Sequence, residues 1–390
     1  MAAGQRSRAI VLALVGMLCA AALAGCAASG DGIAPTRSTT PTWHRVDLPD
    51  GEAPVTLTAY PGGVLVGTQN RANAAPGLLR LAPPGTSVTR VSVRPASPYA
   101  AQGTWLSIAA EDDGRLVAVA GARGGAHSNV RWSVWRGDVA AGLAEQEQPF
   151  STFGGWGAGE QLGVLTPDTG PLLLGSWESR GAGLDADIWL PEGPRWVRQD
   201  PTGSALASTT TELVGPRSGA ASGATAVVVG SLVTLTDGVR QQPALWQSTS
   251  GNTGWSRRTL PTTGRTGEAV AVGCHESSPG CLVVGVVDGR LAAWAVAGGS
   301  APAEQHGIPV VDVSDRAPLP APMWRGGTWT VLAPSGSATH LLRLTSGSWE
   351  QRAGPPGVVT AAATNASGTM YAVTTDSTGV ATLWATDALR

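Results

Sequence analysis

The chain has 390 residues, of which 42% are apolar and only 14% charged, so it can bury a sizeable core and is not disordered along most of its length. All 26 basic residues are Arg, set against 28 acids for a net charge of −2, and no basic cluster gives nucleic-acid binding an electrostatic footing. With 15 Trp, 53 Gly and 28 Pro the composition points to many short strands and tight turns, and the one long apolar run, at the extreme N-terminus, excludes a polytopic membrane protein.

At the N-terminus, Arg6 and Arg8 precede an uncharged stretch from Ala9 to Gly25. This is the charged-then-apolar order of a secretory signal peptide. It ends in Leu23-Ala24-Gly25-Cys26, which resembles the lipobox of bacterial lipoproteins. The resemblance implies cleavage after residue 25 and acylation of the Cys26 thiol, which would hold the chain on the extracytoplasmic face of the cell membrane. An ordinary signal peptide with an incidental Cys is the alternative. Without residues 1–25 the chain keeps 24 Arg against 28 acids, a net charge of −4. Residues 26–42 lack any core-forming pattern and read as a flexible tether, leaving 43–390 as the folded domain.

Beyond the tether an apolar run ending in a small residue recurs: Val64-Leu65-Val66-Gly67, Val117-Ala118-Val119-Ala120, Leu172-Leu173-Leu174-Gly175, Val227-Val228-Val229-Gly230 and Leu282-Val283-Val284-Gly285. Thr330-Val331-Leu332-Ala333 and Met370-Tyr371-Ala372-Val373 continue the series. After a polar loop each is followed by a second short strand centred on Leu79, Trp135, Trp189, Trp246, Trp294, Leu342 or Trp384. Seven anchors over the 348 residues from Trp43 onward give about 50 per unit, enough for four strands. The last unit shows only three, near 358–364, 369–374 and 381–386. The segment Trp43-His44-Arg45-Val46-Asp47-Leu48-Pro49 matches Trp255-Ser256-Arg257-Arg258-Thr259-Leu260-Pro261, the fourth strand of unit four. An N-terminal strand completing the last unit would remove two open sheet edges. This pattern resembles the circular closure of β-propellers. It implies an all-β, seven-bladed propeller with four-stranded blades, although six or eight blades also satisfy the spacing, since units one and six are weakly marked.

Cys274 and Cys281 flank His275-Glu276-Ser277-Ser278-Pro279-Gly280 at facing ends of two apolar runs, which predicts a disulfide across a hairpin. A zinc site would need ligands beyond His275 that the sequence does not offer nearby. At repeated strand positions the Trp side chains most simply fill the space between blades with the indole N–H on a carbonyl, while Trp105, Trp132, Trp156, Trp177 and Trp324 fall outside the template.

Chemistry is thinly marked. Ser248-Thr249-Ser250-Gly251-Asn252-Thr253-Gly254-Trp255 resembles the Asp-box hairpin of sialidase-like propellers, with Ser250 at the Asp position and Asn252 at the Gly position. That motif speaks for fold and not activity. A sialidase site needs three Arg, a Tyr nucleophile and a paired Glu, and only Tyr60, Tyr99 and Tyr371 are available. The five His form no metal helix, and Asp112-Asp113-Gly114 and Thr236-Asp237-Gly238 are expected hairpin turns. No catalytic residue, metal or cofactor is expected.

Polar loops between second and third strands are long in the early units, at 69–76, 123–131, 178–187 and 234–242, and short in units five to seven. Loop length concentrated on one face marks a binding surface, with Arg71, Arg123, His127, Arg180, Asp185 and Asp187 as its candidates. The expected function is therefore a monomeric, membrane-anchored binding or scaffolding module for a protein, peptide or envelope glycan. The alternative is a diverged sialidase-like glycoside hydrolase.

Overall fold

The computed structural model describes residues 41–82, 87–124, 129–154, 157–278, 280–298 and 300–386. Cys26, His127 and Trp156 lie outside the described residues, as do residues 1–25, expected to be a signal peptide, and nearly all of the expected tether.

Alternating strands separated by Gly-rich turns form seven antiparallel sheets, each ordered A to D from the centre outward. Blade 1 is Glu52–Tyr60, Gly63–Asn70, Pro76–Ala82 and Ser87–Val91. Blade 2 is Thr104–Ala110, Arg115–Arg123, Val130–Asp138 and Gly142–Gln146, with Val93–Arg94 added in parallel at its outer edge. Blade 3 is Gly159–Leu165, Leu172–Glu178, Leu184–Glu192 and Arg195–Arg198; blade 4 is Glu212–Ser222, Thr225–Thr234, Arg240–Ser248 and Ser256–Thr259. Blade 5 is Gly267–Cys274, Cys281–Val287, Arg290–Val296 and Ala303–Glu304; blade 6 is Met323–Arg325, Thr328–Ser335, Ala338–Thr345 and Ser348–Ala353. Blade 7 takes Val358–Thr364, Met370–Thr375 and Ala381–Thr386 from the C-terminus and Trp43–Arg45 from the N-terminus.

The expected seven-bladed propeller is what forms, and the N-terminal strand closes it. Trp43 pairs with Thr386 and Arg45 with Trp384, and the innermost strands of blades 1 and 7 pack together.

The recurring apolar run is strand B, buried on both faces, which explains why it reads as continuous and not alternating. Its terminal small residue has a steric cause. In blades 1 to 5 and 7 the innermost strand bulges near this point, as between Pro216 and Ser218 or Ala269 and Ala271. The bulge drives a backbone carbonyl inward. A Cβ on Gly230 would lie 2.0 Å from the Gly215 carbonyl oxygen, and one on Gly285 2.1 Å from that of Glu268, so no side chain fits at either place.

All seven anchors fall in strand C, opposite strand B. Trp135, Trp189, Trp246 and Trp294 are fully buried, whereas Trp384 is half-buried. The indoles of Trp189, Trp246 and Trp294 donate to the carbonyls of Thr152, Ala205 and Pro261 at 2.9, 2.9 and 2.6 Å. Each acceptor belongs to the connection leading into that Trp's own blade, so one side chain fills the seam and pins the incoming chain. Trp135 and Trp384 depart from the expected carbonyl partner and donate to the hydroxyls of Ser133 and Thr374.

Alternating strand direction puts the A–B and C–D turns on one face and the B–C turns with the blade-to-blade connections on the other. The chain enters on the A–B face, because Trp43 lies beside Thr386, which itself pairs with Met370 at the start of strand B. Cys274 and Cys281 are cross-strand partners on the A–B side of blade 5 and form the expected disulfide. The Asp-box-like segment is the C–D turn of blade 4. There the Ser250 hydroxyl donates to the Thr253 carbonyl at 2.9 Å, a hydroxyl holding the turn where the motif has a carboxylate.

Candidate functional site

The B–C face has a distinct chemical character. Eight large apolar side chains are exposed among the described residues, and seven of them stand on this face or at the strand ends that border it. Tyr99, Phe150 and Val310 are in blade-to-blade connections; Val239 and Val380 are in B–C turns; Leu184 and Leu235 border such turns. Only Leu106, in an innermost strand, lies elsewhere.

The aromatic part of this surface forms a cavity of about 420 Å³ where blades 2 and 3 meet. Tyr99, Trp132, Phe150 and Phe153 line it, so both Phe residues of the chain are in one place. Segment 95–103 is fixed by Glu145, whose carboxylate accepts the amides of Ala96 and Ser97 at 2.6 and 2.7 Å and the Ser97 hydroxyl at 2.8 Å. That leaves the Tyr99 ring on the rim, 39% exposed. A single helical turn, Phe150–Phe153, presents Phe150 outward, 68% exposed, with the Arg131 guanidinium 5.0 Å from its ring centroid. Phe153 points the other way and packs against Trp189 at 5.9 Å between ring centroids. Gln148 ties the turn down, accepting the Trp196 amide at 2.9 Å and donating to the Pro194 carbonyl at 2.9 Å. The floor is thus rigid and the rim carries exposed rings with amide and charged edges. Such a surface suits a ligand with flat apolar faces and polar margins.

The candidates read from the sequence are spread over three blades. Arg71 is exposed at the B–C turn of blade 1, and Arg123 is exposed at the end of strand B in blade 2. Arg180 and Asp185 line a common cavity of about 230 Å³ on blade 3 with Arg198 and Asp200. Asp185 and Asp187 are not loop residues, because strand C starts at Leu184 and buries both. Asp185 accepts the Ser208 amide at 2.7 Å, and Asp187 is gripped through both oxygens by Arg198 at 3.0 and 2.8 Å. Burial drives the Asp187 carboxyl up to about 6 against the lowering pull of Arg198, with Asp185 and Asp200 raising it further.

Loop lengths also differ from expectation. The B–C turn of blade 7, 376–380, matches that of blade 3, 179–183, and the longest stretches on this face are the connections 199–211 and 305–322. The aromatic cavity escaped sequence reading because it joins segments near 97, 131 and 150 that no period links.

A polar cleft lies on the same face between blades 4 and 5. Glu268 sits 3.3 Å from Arg217, and Asp288 and Asp315 line the cleft with it. Burial raises the Glu268 carboxyl, Arg217 opposes this and Asp315 adds to it. The tyrosines are dispersed: Tyr60 ends strand A of blade 1 on the A–B side, Tyr371 is buried in blade 7, and Tyr99 lines the aromatic cavity. On the A–B side, ligand oxygens of Asp112, Asp168 and Glu276, all exposed, lie within 4.8 Å of one another.

No protein-family model and no curated protein matches the chain. Among solved structures it is similar to the Cps50 (Swd1) β-propeller domain from Myceliophteria thermophila, with a TM-score of 0.53 at 10% identity over 88% of this chain and 99% of that one. It is also similar to the β-propeller domain of the Trilobed protease from Pyrococcus furiosus, with a TM-score of 0.50 at 9% identity over 87% and 96%. Trypanosoma rangeli sialidase gives a TM-score of 0.46 at 13% identity over 85% of this chain and 59% of that one. At these identities the likeness is one of fold.

Proposed function

We propose that this seven-bladed propeller is a lipid-anchored, extracytoplasmic binding or scaffolding module, held to the cell membrane through Cys26 and monomeric, whose B–C face takes a peptide, a protein segment or an envelope glycan. One observation carries the reading. The exposed apolar side chains of the described residues gather on the B–C face, opposite the one on which Trp43 begins the closing strand, and such a concentration of exposed apolar groups marks an interaction surface. The aromatic cavity is the proposed centre of that surface; of the sequence-derived residues, Arg71 and Arg123 are exposed on blades 1 and 2, and Arg180 and Asp185 line the separate cavity on blade 3.

The test uses the full chain in nonionic detergent, screened against peptidoglycan-derived saccharides and a heptapeptide library. Phe150→Ala, or the double variant with Tyr99→Ala, should weaken whichever class binds by at least about tenfold, equivalent to ~1.4 kcal/mol, with the melting temperature unchanged because both rings are exposed. Unchanged affinity in the double variant would remove the cavity from the reading.

The anchor is tested separately. Wild type should take up an alkyne-tagged fatty acid in cells and Cys26→Ala should not. Labelling that survives the substitution would sink it.

A diverged sialidase-like hydrolase remains the second reading, favoured by the Arg217, Glu268 and Asp315 grouping with its raised carboxyl. Against it, no tyrosine lines that cleft among the described residues.

A further inference from the structure

The A–B face holds a cavity of a different kind, about 350 Å³, at the seam of blades 6 and 7. Its polar lining consists of Arg325, Arg343 and the hydroxyl residues Thr328, Thr330, Thr364 and Ser367, with no carboxylate among the described lining residues. Both cations come from blade 6. Arg325 ends the three-residue innermost strand and uses one N–H on the Asn365 carbonyl at 3.2 Å. Arg343 lies in strand C, and its Nε is buried without a hydrogen-bond partner. Its cross-strand neighbour Glu350 is bonded instead to Arg352, at 2.9 and 2.7 Å. The Arg343 guanidinium thus lines the cavity with no carboxylate among the described lining residues to neutralise it, and an anion there would supply the missing charge.

We infer that this cavity binds a phosphate-class oxyanion, with Arg343 as its main donor and Arg325 as the second. Two cations with no carboxylate beside them suit a tetrahedral group with several acceptor oxygens better than an apolar or cationic ligand, while the Thr364 and Ser367 hydroxyls already donate to the Thr369 carbonyl and the Asn365 side chain. The site is distinct from the aromatic cavity and lies on the opposite face. Trp43, the first residue of the closing strand, packs in the same cluster as Met323 and Met370, two other lining residues. The cavity is therefore beside the point where the chain enters. If Cys26 is acylated as proposed above, a phospholipid headgroup is the nearest source of the phosphate. The oxyanion assignment itself rests on the cavity alone.

Calorimetric titration of the full chain in nonionic detergent at low ionic strength, with inorganic phosphate and with glycerophosphoglycerol in separate arms, tests this. Saturable binding of at least one is expected, weakened about tenfold or more by Arg343→Gln. Arg343→Lys should not restore it, since an ammonium cannot reproduce the planar fork. Arg325→Gln, at an exposed position, gives a smaller loss and covers the case in which the Arg343 variant fails to fold. Preference for glycerophosphoglycerol identifies a headgroup diester, and preference for inorganic phosphate identifies a free anion. No saturable binding of either, or binding unchanged in both Gln variants, overturns the site whether or not Cys26 carries lipid.

Discussion

Trp246→Ala is expected to cost about 3–5 kcal/mol of stability, read as a shift in the urea midpoint at constant slope. The side chain is fully buried at the seam of blades 3 and 4, packed in one cluster with Leu174, Ala186, Ile188 and Leu206. Its N–H reaches the Ala205 carbonyl at 2.9 Å. Truncation therefore removes apolar burial, opens a cavity between two rigid sheets and strands a carbonyl of the incoming connection. Trp246→Phe separates these contributions. It keeps most of the apolar area and loses the hydrogen bond, and should recover all but about 1–2 kcal/mol. Trp255, at the half-buried turn before the fourth strand of the same blade, supplies the contrast. Its replacement by Ala should cost well under half as much. If Trp246→Ala were as mild as Trp255→Ala, the repeated indoles would not be the seam-filling element of this ring.

That repeated element is also why so much of the fold was legible in the sequence. Strand B reads as a run because both its faces are covered, and it ends in Gly where a bulge in the neighbouring strand presses a carbonyl against it, as at Gly230 and Gly285. Strand C reads as an indole in five blades and as Leu79 or Leu342 in the other two, and the buried indoles fill the seam with the preceding blade. Both signals are local, and seven copies of each count the blades. The closing strand was visible too, since Trp43-His44-Arg45 meets the same demand at an outer edge as Ser256–Thr259 does in blade 4. The candidate site had no such repetition. Tyr99, Arg131 and Phe150 come from three segments brought together by isolated side chains, Glu145 holding residues 96 and 97 and Gln148 holding the Phe150 turn against blade 3. Polar loop length pointed to this face by a different signal from the one the structure shows there, which is its exposed apolar side chains. The acids at 185 and 187 looked like loop polarity, yet they alternate with Leu184 and Ala186 on a strand, and Arg198 eleven residues later is what allows burial of the second.

The buried Asp187 and Arg198 pair leads to the second large effect, and it depends on pH. Asp187 is fully buried, with its carboxyl raised from 3.8 to about 6, burial being the main cause. A raised carboxyl binds its proton more tightly in the folded chain than in the unfolded one. Its stabilising contribution is therefore present below pH 4 and is lost as pH rises from about 4 through about 6, by roughly 3 kcal/mol for a shift of this size. This runs opposite to ordinary acid denaturation, so it is best read as a difference between variants. Asp187→Asn should gain on wild type as pH climbs across that window, because the amide has no charge to bury. Arg198→Ala should behave in the opposite sense. Above pH 7 it leaves a carboxylate with neither solvent nor partner, a loss of about 3–5 kcal/mol. Near pH 4.5 the same variant protonates Asp187, the stranded charge disappears, and the cost should shrink to the lost packing and hydrogen bonds of the guanidinium. Urea unfolding of the three proteins at pH 4.5, 6 and 8 checks both signs. An Arg198→Ala penalty of equal size at pH 4.5 and 8 would mean that Asp187 does not titrate in this range and that the guanidinium, rather than the proton, determines how this strand tolerates its buried acid.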